Sequence, residues 1–177
     1  MRIIAGRHAG RHLTSPGRAV RPTPERVRGD CFDLLESEVG GARFLDLFAG
    51  SGAVGLEALS RGARQVDFVE NGRGALHALK ANVAALRASG PTRLFKRDVI
   101  PWIEALAADA YDIAWVDPPY GSRKLDRVLE RWLEVPFAKT LVLEHAKDHD
   151  LAVDGKRYDF VGPTRITIAR APSRSLT

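Results

Sequence analysis

From residue 44 onward, short apolar runs alternate with helical segments, and that alternation leaves few architectures open. Residues 44–47, 66–70, 93–96 and 111–116 read as strands, as does the buried run Leu141-Val142-Leu143. Between them the spacing of apolar residues predicts helices over 52–60, 76–86, 100–107 and about 123–133. Two last β-like runs, 156–161 and 164–169, flank Gly162-Pro163, a turn that permits an antiparallel hairpin. Continuously apolar strands alternating with helices imply an α/β fold, a mostly parallel sheet covered on both faces and finishing in an antiparallel pair. Ligands of such sheets lie beyond the carboxyl ends of the strands. That rule directs attention to residues 46–52, Glu70, Asp98 and 117–120.

A chain of 177 residues is one domain with at most a short extension. Its 45% hydrophobic and 28% charged residues suffice for a packed core and exclude disorder as the main state. No apolar run approaches the ~18–20 residues of a membrane span, and the start, Met-Arg-Ile-Ile-Ala-Gly-Arg-His, lacks a secretory signal, so a cytoplasmic location is expected; a monomer is expected as well, without a sequence feature that fixes it. The single cysteine, Cys31, reads as a buried small hydrophobe, and no set of residues assembles a metal site.

Charge is unevenly placed. Residues 1–28 hold seven arginines (Arg2, Arg7, Arg11, Arg18, Arg21, Arg26, Arg28) and one acid, Glu25, a net of +6. The remaining 149 residues carry a net of −1. The expected division is therefore a basic, polyanion-binding arm over 1–28 on a near-neutral body over 29–177. Arginine suits bidentate phosphate contacts. Within the arm, Ile3-Ile4-Ala5, Gly6, Gly10 and His12-Leu13-Thr14 read as a short hairpin. Thr23 can cap a helix over about 24–37 with Pro24 in its first turn, and Val27, Cys31, Leu34 and Leu35 give that helix one apolar face.

The run from Asp46 through Phe48-Ala49-Gly50-Ser51-Gly52 to Gly55 follows a strand and opens a helix. Its glycines let the backbone approach a ligand. Glu70, 20 residues after Gly50 at the next strand end, is placed to hold ribose hydroxyls, and Asp98 is a third strand-end acid. A dinucleotide site is the rival to an S-adenosylmethionine site here. Asp46 favours the sulfonium cofactor, because an acid tolerates an ammonium and disfavours a pyrophosphate.

Asp117-Pro118-Pro119-Tyr120 directly follows the apolar strand 111–116. Consecutive prolines exclude helix and force a rigid turn at the mouth of the sheet. Such a turn presents a carboxylate, carbonyls and an aromatic face together. The Asp117 carboxylate and the Pro118 carbonyl can accept both hydrogens of an exocyclic base amine while Tyr120 stacks on the base. Catalysis would then rest on positioning and electrostatics more than on a strong base.

With these residues in view, the chain resembles class I S-adenosylmethionine-dependent methyltransferases, and more narrowly the bacterial small-subunit ribosomal RNA guanine-N2 methyltransferases of the RsmD type. The likeness runs from Arg2-Ile3-Ile4-Ala5-Gly6 and Gly10-Arg11 through Arg26-Val27-Arg28, the Phe48–Gly52 loop, Gly55 to Ala63, Val69-Glu70, Asn82, Asp117–Tyr120 and Glu144-His145. It implies a Rossmann-like seven-stranded sheet preceded by the N-terminal hairpin. It also implies S-adenosylmethionine as cofactor, with Phe48, Ala49, Gly50, Ser51 and Gly52 along its methionine part. Glu70, with Asn71 beside it, would take the ribose, and Asp98 with Val99 the adenine. Asp117, Pro118, Pro119 and Tyr120 would bind the target guanine of 16S rRNA, in an assembled small subunit that supplies context the chain cannot read alone. Gly29, Asp33 and Asn71-Gly72 depart from the family's usual residues.

Three rivals remain. An adenine-N6 nucleic-acid methyltransferase can use the same tetrapeptide but generally carries more recognition structure than 28 residues. A protein-glutamine methyltransferase typically has asparagine before the prolines. A non-catalytic binding module would be marked by a broken loop or tetrapeptide, and both are intact.

Overall fold

The computed structural model describes residues 1–17, 24–119, 121–160 and 162–172. After a 3-10 turn, Gly6–His8, the elements are α1 (Glu25–Leu34), α2 (Glu36–Val39), β1 (Arg43–Leu47), α3 (Ala53–Ser60), β2 (Gln65–Glu70), α4 (Arg73–Ala85) and β3 (Thr92–Lys96). There follow α5 (Val99–Glu104), β4 (Tyr111–Val116), α6 (Lys124–Glu134), β5 (Ala138–Ala146), β6 (Lys156–Asp159) and β7 (Thr164–Arg170). The strands form one seven-stranded sheet in the order β3-β2-β1-β4-β5-β7-β6. The first five are parallel, and β7 runs antiparallel to both β5 and β6. This is the expected architecture. The order reverses between β1 and β4, whose register pairs Leu47 with Val116 and so sets the turn after β1 beside Asp117.

Both faces of the sheet are covered, which is why its central strands read as unbroken apolar runs. Along β4, Ile113 and Trp115 enter a core with Phe32, Phe44, Leu56 and Leu79, beneath α1, α3 and α4. Ala114 and Val116 enter the opposite core with Leu125, Val128 and Trp132, beneath α5 and α6. In α6, Leu125, Val128, Leu129 and Trp132 repeat at i, i+3, i+4 and i+7 and are all buried. Among the described residues no helix is long and apolar enough to cross a membrane.

The start of the chain folds onto α3. Arg2 and His12 form an antiparallel bridge, Ile3 N–H donates to the Arg11 carbonyl at 2.9 Å, and Leu13 N–H to that of Met1 at 3.0 Å. Ile3 and Leu13 are buried in the same core as α1 and α3. Glu57, at mid-α3, is fully buried and accepts the N–H groups of Ile4 at 2.8 Å and Ala5 at 3.0 Å. With the arm across its outer side, all eight residues of α3 are buried.

Three expectations are corrected. The first helix begins at Glu25 with Pro24 in the N-cap position and ends at Leu34, and Thr23 lies outside the described residues. Leu34, assigned to its apolar face, is 42% exposed, whereas Arg28, Cys31, Phe32 and Leu35 are fully buried. Arg28, counted among the RNA-facing arginines, points inward: its Nε lies 3.6 Å from Glu57 Oε2 and its Nη2 donates to the Arg2 carbonyl. A guanidinium sealed in that contact is not available to a phosphate.

Candidate active site

At the carboxyl end of the sheet a cavity of about 590 Å³ is walled by two groups of residues. On one side stand Asp46, Phe48 to Ser51, Glu70 to Gly72, and Ala75; on the other, Trp115, Asp117, Pro118, Pro119, Glu144 and Thr164. Pro16 and Pro24 contribute from the chain on either side of residues 18–23, and Lys124 from α6, its Nζ 5.7 Å from the centre of the Phe48 ring.

The loop after β1 is shaped by its neighbours. Phe48 has φ 60°, a left-handed conformation unusual outside glycine, and Gly50 and Gly52 have φ 55° and 78°. A Cβ at Gly52 would come within 2.3 Å of Leu79 Cδ1, and one at Gly55 within 2.4 Å of Phe68 Cε1. Gly50 lines the cavity; Gly52 and Gly55 bring α3 close to β2 and α4.

Glu70 holds the loop through its carboxylate, which accepts N–H groups from Gly50 at 2.9 Å, Asn71 at 2.8 Å and Gly72 at 2.6 Å. Asp46 is buried and accepts the Gly55 N–H at 2.9 Å. Burial pushes its carboxyl up to about 8, with the Gly55 hydrogen bond opposing and the nearby Glu70 charge adding to the rise. Asn82, buried in α4, ties three segments together: its Oδ1 accepts the Thr14 N–H at 2.7 Å, and its Nδ2 donates to the carbonyls of Thr14 at 3.0 Å and Ser51 at 2.9 Å. The arm is thereby joined to the loop.

The opposite wall rests on Trp115, whose ring stacks on Phe32 of α1 with centroids 5.9 Å apart and planes at 12°. Its buried Nε1–H meets no acceptor among the described residues. Asp117 is half-buried, Pro118 buried and Pro119 exposed, and the Pro119 carbonyl accepts the Ser122 hydroxyl at 2.8 Å. Tyr120 lies outside the described residues, as do Arg18 and Arg21.

The structure thus brings Asp46, Phe48, Ala49, Gly50, Ser51, Glu70, Asn71, Asp117, Pro118 and Pro119 around one cavity. Asp98 and Val99 stand apart from its wall. Asp98 is exposed and caps α5 by accepting the Ile100 N–H at 3.1 Å, and Val99 packs in the core under α5 and α6. Sequence reasoning missed Glu144 and Trp115 as wall residues: Glu144 stands in a motif without an assigned role, and Trp115 lies within the apolar strand 111–116. Their signal is alternation: Asp117, just past the end of β4, falls on the same face as Trp115, and register with β5 puts Val142 and Glu144 on that face. His145 beside Glu144 is structural, its Nε2 2.8 Å from the Thr167 hydroxyl.

Three carboxylates, Glu70, Asp117 and Glu144, line the cavity with one lysine, and the buried carboxyl of Asp46 beside them is largely protonated at neutral pH. Such a wall disfavours a pyrophosphate and suits a cationic ligand. Fold and site together are those of a class I S-adenosylmethionine-dependent methyltransferase. The sequence family described as Conserved hypothetical protein 95 matches residues 1–161. Ribosomal RNA small subunit methyltransferase D of Haemophilus influenzae is 33% identical over 157 residues, covering 85% of this chain and 81% of that protein. The protein of that name in Escherichia coli K12 is 39% identical over 132 residues, 73% of this chain and 65% of its own. Among solved structures, a hypothetical protein of Thermus thermophilus superposes with a TM-score of 0.81 at 31% identity, over 97% of this chain and 99% of that one. The chain belongs to this family of RsmD-type methyltransferases.

Proposed function

We propose that the enzyme transfers a methyl group from S-adenosylmethionine to the exocyclic N2 of one guanine in 16S rRNA, within the small ribosomal subunit and in the cytoplasm. The observation that carries this reading is the Asp117-Pro118-Pro119 turn in the same cavity wall system as the Glu70-held loop. The cofactor, when bound, supplies an electrophilic methyl on a sulfonium. Asp46, Glu70 and the loop from Phe48 to Ser51 would hold it, with Glu70 exchanging backbone N–H partners for ribose hydroxyls and Asn71 beside it; Asp98 and Val99 would join at the adenine end.

On the facing wall, the Asp117 carboxylate and Pro118 carbonyl accept the two N2–H hydrogens. This leaves the nitrogen aimed at the methyl, stabilises the positive charge that develops there, and gives its proton a route through Asp117 to water. Tyr120 stacks on the base. Glu144 favours guanine over adenine in this reading, because an acceptor-only carboxylate suits guanine N1–H where adenine has a lone pair.

The arm over 1–28 serves as the RNA-binding extension of the catalytic body over 29–177, through Arg2, Arg7, Arg11, Arg18, Arg21 and Arg26. Arg28 is excluded by its burial. A tritiated-methyl assay comparing naked 16S RNA, assembled subunits, DNA and protein, followed by nucleoside mass spectrometry, tests the reading. The expected product is N2-methylguanosine, with assembled subunits the best substrate. Label in N6-methyladenosine, or only in protein, would overturn it.

A further inference from the structure

Helix α4 carries no acidic residue along its 13 positions. Arg73, His77 and Lys80 fall on one stripe of it, which Arg87 continues past the helix end, and all four are exposed. At 1.5 Å per residue the stripe from 73 to 87 is about 21 Å long. Many arginines elsewhere are matched by acids, as in Arg43–Asp112, Arg93–Asp67, Arg165–Asp159 and Arg170–Glu38. Arg73, Lys80 and Arg87 have no acidic partner among the described residues, and neither do Arg7 and Arg11 of the arm.

The arm runs antiparallel beside this stripe. Arg11 Nη2 donates to the Ala85 carbonyl at 3.1 Å, Thr14 is paired with Asn82, and the Pro16 carbonyl lies alongside Gly74. Arg7 and Arg11 are close enough to His8 to depress its imidazole, after the effect of burial, so the cations of the arm are themselves clustered. At the far end, Arg87 has φ 51° and closes the helix, with its N–H on the Ala84 carbonyl and the Ala88 N–H on that of Val83. Helices that end this way ordinarily place glycine there. An arginine in this left-handed conformation carries a backbone cost that glycine would avoid. Part of that is accounted for by a cation at a helix C-terminus, but that role does not explain the unpaired cations further up the same stripe.

We infer that Arg73, Lys80 and Arg87, with Arg7 and Arg11, form a track for the RNA phosphate backbone over the outer face of α4. The track leads toward the cavity, since Arg73 stands between Gly72 and Gly74, both in its wall. The inference rests on the RNA reading above and extends the footprint beyond the arm. Each phosphate that loses its cation lowers the slope of log K against log salt by ~0.7–0.9.

The test measures binding of in vitro transcribed 16S rRNA across a salt series for the wild type and for Lys80→Ala/Arg87→Gly. A control of equal charge change, Arg127→Ala/Lys156→Ala, lies on α6 across the sheet and on the edge strand β6. The α4 variant is expected to bind more weakly with a slope reduced by about 1.4–1.8, while its Tm is unchanged or higher, because glycine relieves the backbone at 87. Cofactor affinity should not move, and the control should keep the wild-type slope. An unchanged slope in the α4 variant, or an equal reduction in the control, would overturn the track while leaving the RNA reading intact. A wild type that binds neither this RNA nor assembled small subunits would overturn the RNA reading itself.

Discussion

Glu70 at the end of β2 and Glu57 in α3 hold irregular backbone in the same way, each accepting N–H groups that no strand or helix satisfies. Glu70 takes those of Gly50, Asn71 and Gly72; Glu57 takes those of Ile4 and Ala5. Their surroundings differ. Glu70 borders a cavity, so its partners can be exchanged for a ligand's hydroxyls or for water. Glu57 is sealed between Arg28, which is also fully buried, and Arg61, whose Nε donates to it at 2.9 Å. One carboxylate holds a loop that borders an open cavity, and the other fixes the arm to the body. Burial decides which.

The largest effect on stability should come from Glu57→Ala. It strands Arg28, whose burial already pulls its guanidinium below the ordinary value while Glu57 opposes that pull. Breaking a buried pair costs about 3–5 kcal/mol, to be read by urea unfolding. A loss below about 1 kcal/mol would place Glu57 with surface pairs. Glu70→Ala should lose less stability, because its freed N–H groups can meet water in the cavity. Its cofactor affinity should fall roughly 10- to 100-fold, the worth of about 1.5–3 kcal/mol for hydrogen bonds to a charged group. Calorimetric titration reads this directly; equal cofactor affinity in the variant and the wild type would break the distinction between the two glutamates.

Asp46 gives an effect of a different kind, one that depends on pH. Its carboxyl is raised from 3.8 to about 8, so the folded state binds a proton that the unfolded chain releases. Stability from this group is therefore complete below pH ~4 and is lost as pH rises toward about 8. Asp46→Asn should flatten the stability–pH curve in that window, and a curve of unchanged shape would contradict the burial argument. Smallest of all is Asp33→Asn, at the exposed rim of the Glu57 cluster. The Asp33 side chain is 71% exposed and 2.7 Å from Arg61, and its replacement should cost under about 1 kcal/mol.

The same two regions mark what the sequence could convey. The strand ends and the loop were legible because strand-to-helix alternation and the local run from Asp46 to Gly55 depend on near neighbours. Glu57 was not, since a carboxylate in a short helix ordinarily faces water, and only the arm packing over α3, from 52 residues away, buries it. Arg28 was misread through its company. It stands in a run of arginines, yet its spacing to Cys31, Phe32 and Leu35 is i+3, i+4 and i+7, the pattern of an apolar face. Asp98 caps α5 from outside the cavity wall, a role open to any aspartate before a helix and compatible with the adenine contact proposed for it.

The proposed mechanism depends on dividing the cavity between a cofactor wall held by Glu70 and a target wall built on Asp117. Cofactor affinity and single-turnover methyl transfer, measured together on Asp117→Ala, probe it without intermediary steps. Transfer should fall by at least about a hundredfold with cofactor affinity unchanged. Loss of cofactor binding in step with transfer, or transfer at the wild-type rate, would contradict it.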